Sequence, residues 1–378
     1  MTVTPELLNA LVLRLEHLDQ PQKKMKVITG FDGFIDRIKR PVSSRKGDQV
    51  EMFRTIGEFA QRLKEAAGKS CQIEMITQKA KAGGNAPILA ETLSRAGVNC
   101  LCIGAMGYPD LHEVFTSPER TYQVMSLLKP GKSDAIEFED GKIIFSDLSV
   151  FDHYNWKYVR MTAGIEVLRR EADEADLFVF ADWANLPHAA DIWQGMLDDV
   201  IRPAGRTDRH FLFDLCDPTR KTDYQIKKVL DLISLFSDFG NVTLGLNENE
   251  TLRIFEQLYG SGTVDVRLAG GRIFSNMTIE TLVVHPTDRC ILFGREGVTE
   301  LPGYLVKEPR VLTGGGDNLN AGYCLGLLNG MEPVQAAVLG MASAAAYIRN
   351  GFAPGLHDIS AYLKQWSRSL EPQQVVSP

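Results

Sequence analysis

Leu312-Thr313-Gly314-Gly315-Gly316-Asp317-Asn318-Leu319-Asn320-Ala321-Gly322, continued by Tyr323-Cys324-Leu325-Gly326-Leu327-Leu328, is the stretch from which the fold can be read. Three consecutive glycines let a backbone approach a ligand closely and present its amides to it. The apolar run that follows has the character of a helix, so the glycines stand at a helix N-terminus. Unpaired N–H groups and the positive end of the helix dipole make such a terminus a site for anions. An aspartate in that turn is placed to take a proton from a hydroxyl that attacks a phosphoryl group, while the amides hold the charge that develops there. The alternative is a glycine-rich turn with Asp317 as N-cap. The segment alone leaves both readings open.

Outward from this segment, short apolar runs read as buried strands: Lys26–Thr29, Cys100–Ile103, Leu177–Ala181, Phe211–Phe213, Val242–Leu246 and Thr281–Val284. Helical patterns lie between them, among them Ala86–Ala96, Ala163–Ala172, Ala189–Ile201, Tyr224–Phe236 and Glu248–Tyr259. Strands alternating with helices imply βαβ units around a mostly parallel sheet. Gln72–Lys79 and Ala135–Phe145 instead alternate apolar and polar residues, the second around an Asp140-Gly141 turn. This is the pattern of half-exposed antiparallel strands, expected here to form a small lid near 71–80 and 134–146. Leucines 7, 8, 11, 13, 15 and 18 predict an amphipathic N-terminal helix, so 1–24 is read as a helical extension, 25–365 as one α/β domain and 366–378 as a tail.

Composition bounds the partners. Of the 378 residues 44% are hydrophobic and 24% charged, the balance of a globular chain, and 41 Lys+Arg against 48 Asp+Glu give a net charge of −7. That charge argues against nucleic acid and anionic membranes as partners, but not against one small phosphate compound. The N-terminus lacks the continuous apolar stretch of a signal peptide. The six cysteines mostly lie in apolar runs without zinc-site spacing, so reduced thiols and a cytoplasmic location are expected.

Residues 314–322 resemble the C-terminal signature of the ribokinase-like (PfkB) carbohydrate kinases, a G-A-G-D turn followed by an A-G helix. The resemblance implies a three-layer α/β/α fold with a small β lid, Asp317 as catalytic base, and Gly314, Gly315 and Gly316 as an anion hole. Gly315 stands where the family has alanine, and Val311-Leu312 where it has Asp-Thr. Other motifs follow in the family's order. Ala82-Gly83-Gly84-Asn85, running to Leu93-Ser94-Arg95-Ala96-Gly97, is similar to the N-terminal G-G signature, with Gly83, Gly84 and Asn85 as substrate-binding positions and Ile88 where the family has Asn. Val27–Asp36 resembles the first strand and its sugar-binding aspartate, for which Asp36 and Asp32 are both candidates. Asp182 and Asn185, beyond another strand, are candidate substrate contacts.

Asn247 and Glu250 match the family's N-x-x-E motif, which implies a nucleotide contact and a Mg²⁺ ligand acting through water. The same spacing is that of a helix capping box, and both can hold. His285 stands where the family has T-x-G-x-x-G near the nucleotide, and Ser343 where it has an Asn near adenine; with Asn320 they are the remaining nucleotide candidates. The expected activity is transfer of the γ-phosphoryl group of ATP to a hydroxyl of a sugar or polyol, with Mg²⁺. The alternatives are a non-catalytic sugar or nucleotide sensor and a nucleoside kinase. Exposed lid strands can pair with a second copy, so a homodimer through the lid is a further expectation.

Overall fold

The computed structural model describes residues 3–18, 25–260, 262–311 and 313–371. In chain order it runs α1 (Pro5–Leu18), β1 (Lys26–Gly30), β2 (Phe34–Lys46), β3 (Gln49–Met52), α2 (Ile56–Glu65), β4 (Met75–Gly83), α3 (Asn85–Arg95), β5 (Asn99–Gly104), β6 (Gln123–Ser126), β7 (Gly131–Phe138) and β8 (Gly141–Asp147). Next come α4 (Trp156–Ala163), α5 (Ile165–Asp173), β9 (Leu177–Phe180), α6 (Ala189–Met196), α7 (Arg202–Ala204), β10 (Arg209–Asp214), α8 (Asp223–Leu235), β11 (Gly240–Asn247) and α9 (Glu248–Tyr259). The chain closes with α10 (Val266–Phe274), β12 (Thr281–His285), β13 (Arg289–Gly294), β14 (Gly297–Pro302), α11 (Gly315–Leu328), α12 (Pro333–Asn350) and α13 (Leu356–Leu370).

Nine strands form one sheet in the order β14-β13-β12-β11-β10-β9-β1-β5-β6. Every pairing from β12 to β6 is parallel, and β13 and β14 add antiparallel strands at one edge. Both faces of the sheet are covered, so neighbouring strand residues serve opposite cores. Phe178 and Phe180 of β9 join Phe211, Phe213, Phe236 and Trp193 in the core under α4–α10. Leu177 and Val179 face the other layer, built from α1, α3, α11, α12 and α13. This is the α/β/α architecture expected of ribokinase-like chains.

The first subdivision of the chain requires correction at both ends. Leu8, Leu11, Val12 and Leu15 of α1 are buried in the second layer with Ile359, Tyr362, Leu363 and Trp366 of α13. Residues 5–18 are therefore part of that layer, not an extension, while 19–24 lie outside the described residues. Helix α13 continues to Leu370 with Trp366 buried, so no tail begins at 366; residues 372–378 lie outside the described residues. Gly164 (φ 81°) also divides the helix expected over Ala163–Ala172 between α4 and α5.

The lid is larger than the sequence pattern suggested. Strand β2 pairs with β3 and β4 antiparallel and with β7 parallel, and β8 completes five strands. One face is covered by α2, where Phe59 meets Phe138 with ring centroids 5.4 Å apart. The other face, which carries Asp36, looks toward the carboxyl edge of the large sheet.

Candidate active site

The parallel strands deliver polar side chains to one edge. Asp214, Asn247 and His285 end β10, β11 and β12, while Asp32 and Asp182 lie just beyond β1 and β9. The chain passes from β1 to β5 and β6 on one side, then returns to β9 and β10 on the other. A crevice opens at the carboxyl ends of strands where the order reverses in this way. The glycine turn before α11 enters that crevice.

Gly314 caps α11 in the left-handed region (φ 86°), and Gly315 and Gly316 are its first helical residues. Asp317 is therefore in the first turn and is not the N-cap. The amides of Gly315, Gly316 and Asp317 have no acceptor within the helix. A side chain is opposed at the cap, where a Cβ on Gly314 would lie 3.0 Å from the Tyr347 hydroxyl; Gly316 sits in contact range of His285. Buried Asn318 fixes the turn, its Nδ2 donating to the Gly314 carbonyl at 2.7 Å while its Oδ1 accepts from Thr92 on α3 at 2.7 Å. Burial pushes the Asp317 carboxyl well above its usual range, and Asp214, Asp32 and Asp182 add like charge, partly opposed by a hydrogen bond from Asn85.

Asp214 is central to this acidic crevice. Its Oδ2 accepts from Asn320 of α11 at 2.7 Å and its Oδ1 from the Cys216 amide at 3.1 Å, and burial raises its pKa. Asn320 is 2% exposed and braces α11 against β10, so its side chain is not free to meet a nucleotide. Asp182 adopts φ 59°; its Oδ1 accepts from Asn185 at 2.6 Å and its buried Oδ2 has no partner among the described residues. Arg220 donates to Asn185, and Lys221 lies 4.7 Å from the Trp183 ring centroid. Asp182 and Asn185 thus belong to one connected polar chain.

The two aspartates after β1 have different fates. Asp32 is fully buried and accepts from the Asn85 and Ala86 amides at 2.6 and 2.9 Å, which caps α3; burial brings its pKa up to about 6. Both of its oxygens are committed to the start of α3, which makes it a helix anchor. Asp36 is half-buried on the cleft face of the lid, opposite Lys81. Gly83 makes room for it, since a Cβ there would fall 2.3 Å from the Asp36 carboxyl carbon. Gly84 (φ 97°) turns the chain into α3.

Asn247 and Glu250 do form a capping box. The Asn247 side chain accepts from the Glu250 amide at 2.9 Å and the Glu250 carboxylate from the Asn247 amide at 2.9 Å. Burial, with Asp214 and Asp217 nearby, pushes the Glu250 carboxyl up to about 8. His285 is half-buried at the end of β12 and its pKa is lowered to about 4 by desolvation, so it is neutral beside Gly316. Ser343 is fully buried where α12 crosses α11 at Gly322, and its Oγ has no partner among the described residues.

Residues 9–366 match the family model for prokaryotic ketohexokinase. The chain belongs to that family. It is 25% identical over 340 residues to a ketohexokinase of Haloferax volcanii, covering 89% of this chain and 90% of that protein. Its fold matches a ribokinase of Thermotoga maritima (TM-score 0.62, 15% identity, 90% and 100% of the two chains). It also matches an E. coli protein of the ribokinase II type solved with ATP and Mg²⁺ (TM-score 0.60, 14% identity, 91% and 100%). The protein is a carbohydrate kinase of ribokinase-like fold that phosphorylates a sugar hydroxyl at the expense of ATP. Among the described residues no helix is long and apolar enough to cross a membrane.

Sequence reasoning missed Asn318, Asp214, Tyr347 and Lys221 as members of this ketohexokinase-family site. Asp214 ends a strand within a D-x-x-D-P-T-R segment, and that position was its one available signal. Asn318 and Tyr347 acquire their roles through partners on other helices.

Proposed function

We propose that the acceptor is a ketohexose and that Asp317 is the base of the transfer. The observation supporting this reading is the position of Asp317 in the first turn of α11, where the amides of Gly315, Gly316 and Asp317 itself have no acceptor within the helix. The acceptor oxygen attacks the γ-phosphorus of ATP, the bond from that phosphorus to the ADP oxygen breaks, and the hydroxyl proton passes to the Asp317 carboxylate. The amides of Gly315, Gly316 and Asp317 stabilise charge on the moving phosphoryl group, and most of the remaining catalysis is positioning. Asp36 and Asp182 accept from sugar hydroxyls; the unpartnered Asp182 Oδ2 supports the second assignment. Asn85 acts on both, at the acceptor loop and as a hydrogen-bond donor to the base.

A divalent cation fits the chemistry of the carboxylates around Glu250, where Asp214 and Asp217 lie close enough to raise its pKa. Among the described residues no three acidic, His or Cys side chains are grouped to hold a metal by themselves. Glu250 would therefore hold Mg²⁺ through water, with ATP phosphates completing the shell. The ion supplies charge neutralisation for those phosphates. Asn247 and neutral His285 stand on the nucleotide side of the crevice. Six free cysteines support a reducing, cytoplasmic setting. The exposed Ile144 and Phe145 of lid strand β8 support pairing with a second copy, which sedimentation would detect.

ADP release with a panel of ketohexoses, aldohexoses and nucleosides tests the acceptor. A preference for ketohexoses supports the reading, and faster turnover of a nucleoside or aldose would displace it.

A further inference from the structure

The glycine turn that opens α11 rests on the last turn of α12, and one side chain there carries a polar group that the fold leaves unused. The amides of Arg310 and Val311 donate to the Ile348 carbonyl at 2.9 and 3.4 Å, which ties the segment leading into the turn onto α12. Ile348 also comes within 3.3 Å of the position a Cβ on Gly315 would take, and Tyr347 lies against Gly314. Its hydroxyl, Cε1 and Cζ stand 3.0, 3.2 and 3.3 Å from the Cβ position of Gly314. The edge of the phenol is therefore seated on the residue that immediately precedes the free amides of Gly315, Gly316 and Asp317.

Tyr347 is only 6% exposed, yet among the described residues its hydroxyl has no hydrogen-bond partner. A phenol enclosed by protein normally finds one. The unpartnered hydroxyl of Tyr154 is sealed in the core, whereas Tyr347 lines a cavity of about 240 Å³ with Lys81, Ile88, Arg120 and Phe352, where a ligand can reach it. Lys81 is paired in register with Asp36 of the lid, and Ile88 is in the first turn of α3, so the cavity opens on the acceptor side of the cleft. Tyr347 thus has the acceptor side on one flank and the anion hole on the other. Burial raises the pKa of its hydroxyl, and the carboxylates of Asp317 and Asp36 add to the rise, so the group keeps its proton and is a neutral donor.

We propose that Tyr347 is a further catalytic residue of the transfer, its hydroxyl donating a hydrogen bond to an oxygen of the γ-phosphoryl group while the amides of α11 hold that group. The inference rests on the kinase reading of the cleft. Charge in the transition state is spread over three equatorial oxygens, and a donor placed beside the row of amides serves one that they leave. No bond of the phenol is made or broken. The acceptor oxygen attacks phosphorus, the bond to the ADP oxygen breaks, Asp317 takes the hydroxyl proton of the acceptor, and Tyr347 keeps its own.

The test compares two variants of the full chain. Tyr347→Phe keeps the ring against Gly314 and removes only the hydroxyl, whereas Tyr347→Leu removes the ring as well. Kinetics are measured with whichever ketohexose, aldohexose or nucleoside turns over fastest, so a different acceptor does not alter the outcome. In Tyr347→Phe, kcat should fall about tenfold or more, with KM for acceptor and for ATP within about twofold of native, because the lost bond is made to the moving group. Inhibition by MgADP with aluminium fluoride, which together stand in for that group in flight, should weaken by about the same factor, and inhibition by MgADP alone should not. A phenylalanine variant with native kcat and native inhibition, beside an impaired leucine variant, reduces Tyr347 to packing under the turn and overturns the proposal. An acceptor KM raised about tenfold at unchanged kcat also overturns it, because the hydroxyl then serves the acceptor. A native chain that phosphorylates no acceptor would instead remove the kinase reading, and calorimetric titration with inorganic phosphate would still decide the donor. The native chain should bind phosphate at least about threefold more tightly than Tyr347→Phe, and equal affinities overturn the proposal.

Discussion

The floor of the cleft and its lid hold carboxylates of the same type under different constraints. On the floor, Asp32 is held by two helix amides, Asp214 by an asparagine and an amide, and Asp182 by Asn185. Burial raises the pKa of each of these carboxylates and of Asp317, and neighbouring aspartates add to the rise at Asp32, Asp182 and Asp317. On the cleft face of the lid, half-buried Asp36 forms no ion pair or side-chain hydrogen bond among the described residues. The floor is organised before any ligand arrives, whereas the lid retains groups whose partners the ligand must supply. Preorganisation of the first kind favours rate, and open valences of the second kind favour selection of the acceptor.

The largest effect should come from breaking the floor. Asp317→Asn should lower kcat about a thousandfold while leaving the melting temperature unchanged or higher, because it removes a buried charge and keeps the shape. In the native chain the acid limb of the pH–rate profile should lie above the ordinary carboxylate range, since burial and neighbouring acids hold the Asp317 proton and a base must be free of it. Turnover in the asparagine variant within tenfold of native would remove Asp317 from that role. Gly314→Ala follows, with kcat down about a hundredfold, because φ 86° and the Tyr347 hydroxyl at 3.0 Å both oppose a side chain in the turn.

The lid should respond in a different parameter. Asp36→Asn should raise the acceptor KM about tenfold with little change in KM for ATP, the pattern of a lost hydroxyl contact. An unchanged acceptor KM would assign recognition to the floor alone. The smallest effect concerns stability. Glu250 titrates near 4.5 when unfolded and near 8 in the fold, so the folded chain retains a proton through that window. Stability present below about pH 4.5 is then lost as pH rises toward 8. Glu250→Gln should therefore gain in melting temperature relative to native as the buffer moves from pH 5 to pH 8, and a constant difference would contradict the raised pKa.

Six of the nine strands of the large sheet were legible because their apolar runs are continuous, whereas β6, β13 and β14 at its edges were not read. The glycine turn was legible because its chemistry is local: Gly314 to Asp317 are consecutive. Much of the lid was hidden in Phe34–Lys46, where Arg37, Lys39, Arg40, Arg45 and Lys46 disturb the period-2 pattern and resemble a solvated loop. Those charges are tolerated because the lid has only α2 to cover one face. Three candidates have surroundings that the sequence did not show. Asp32, Asn320 and Ser343 are polar residues in suitable motifs, but their surroundings include groups 54, 106 and 21 residues away that no local pattern reveals. A polar side chain near a motif can hold the scaffold as readily as the ligand.

The contact between α1 and α13 has a consequence for biosynthesis. Leu8, Leu11, Val12 and Leu15 are made long before the residues that cover them, Ile359 to Trp366. Until then the nascent chain carries an uncovered apolar stripe that its own later sequence must find. The second layer thus closes only after α13 has been made, so its assembly depends on a pairing of long sequence separation.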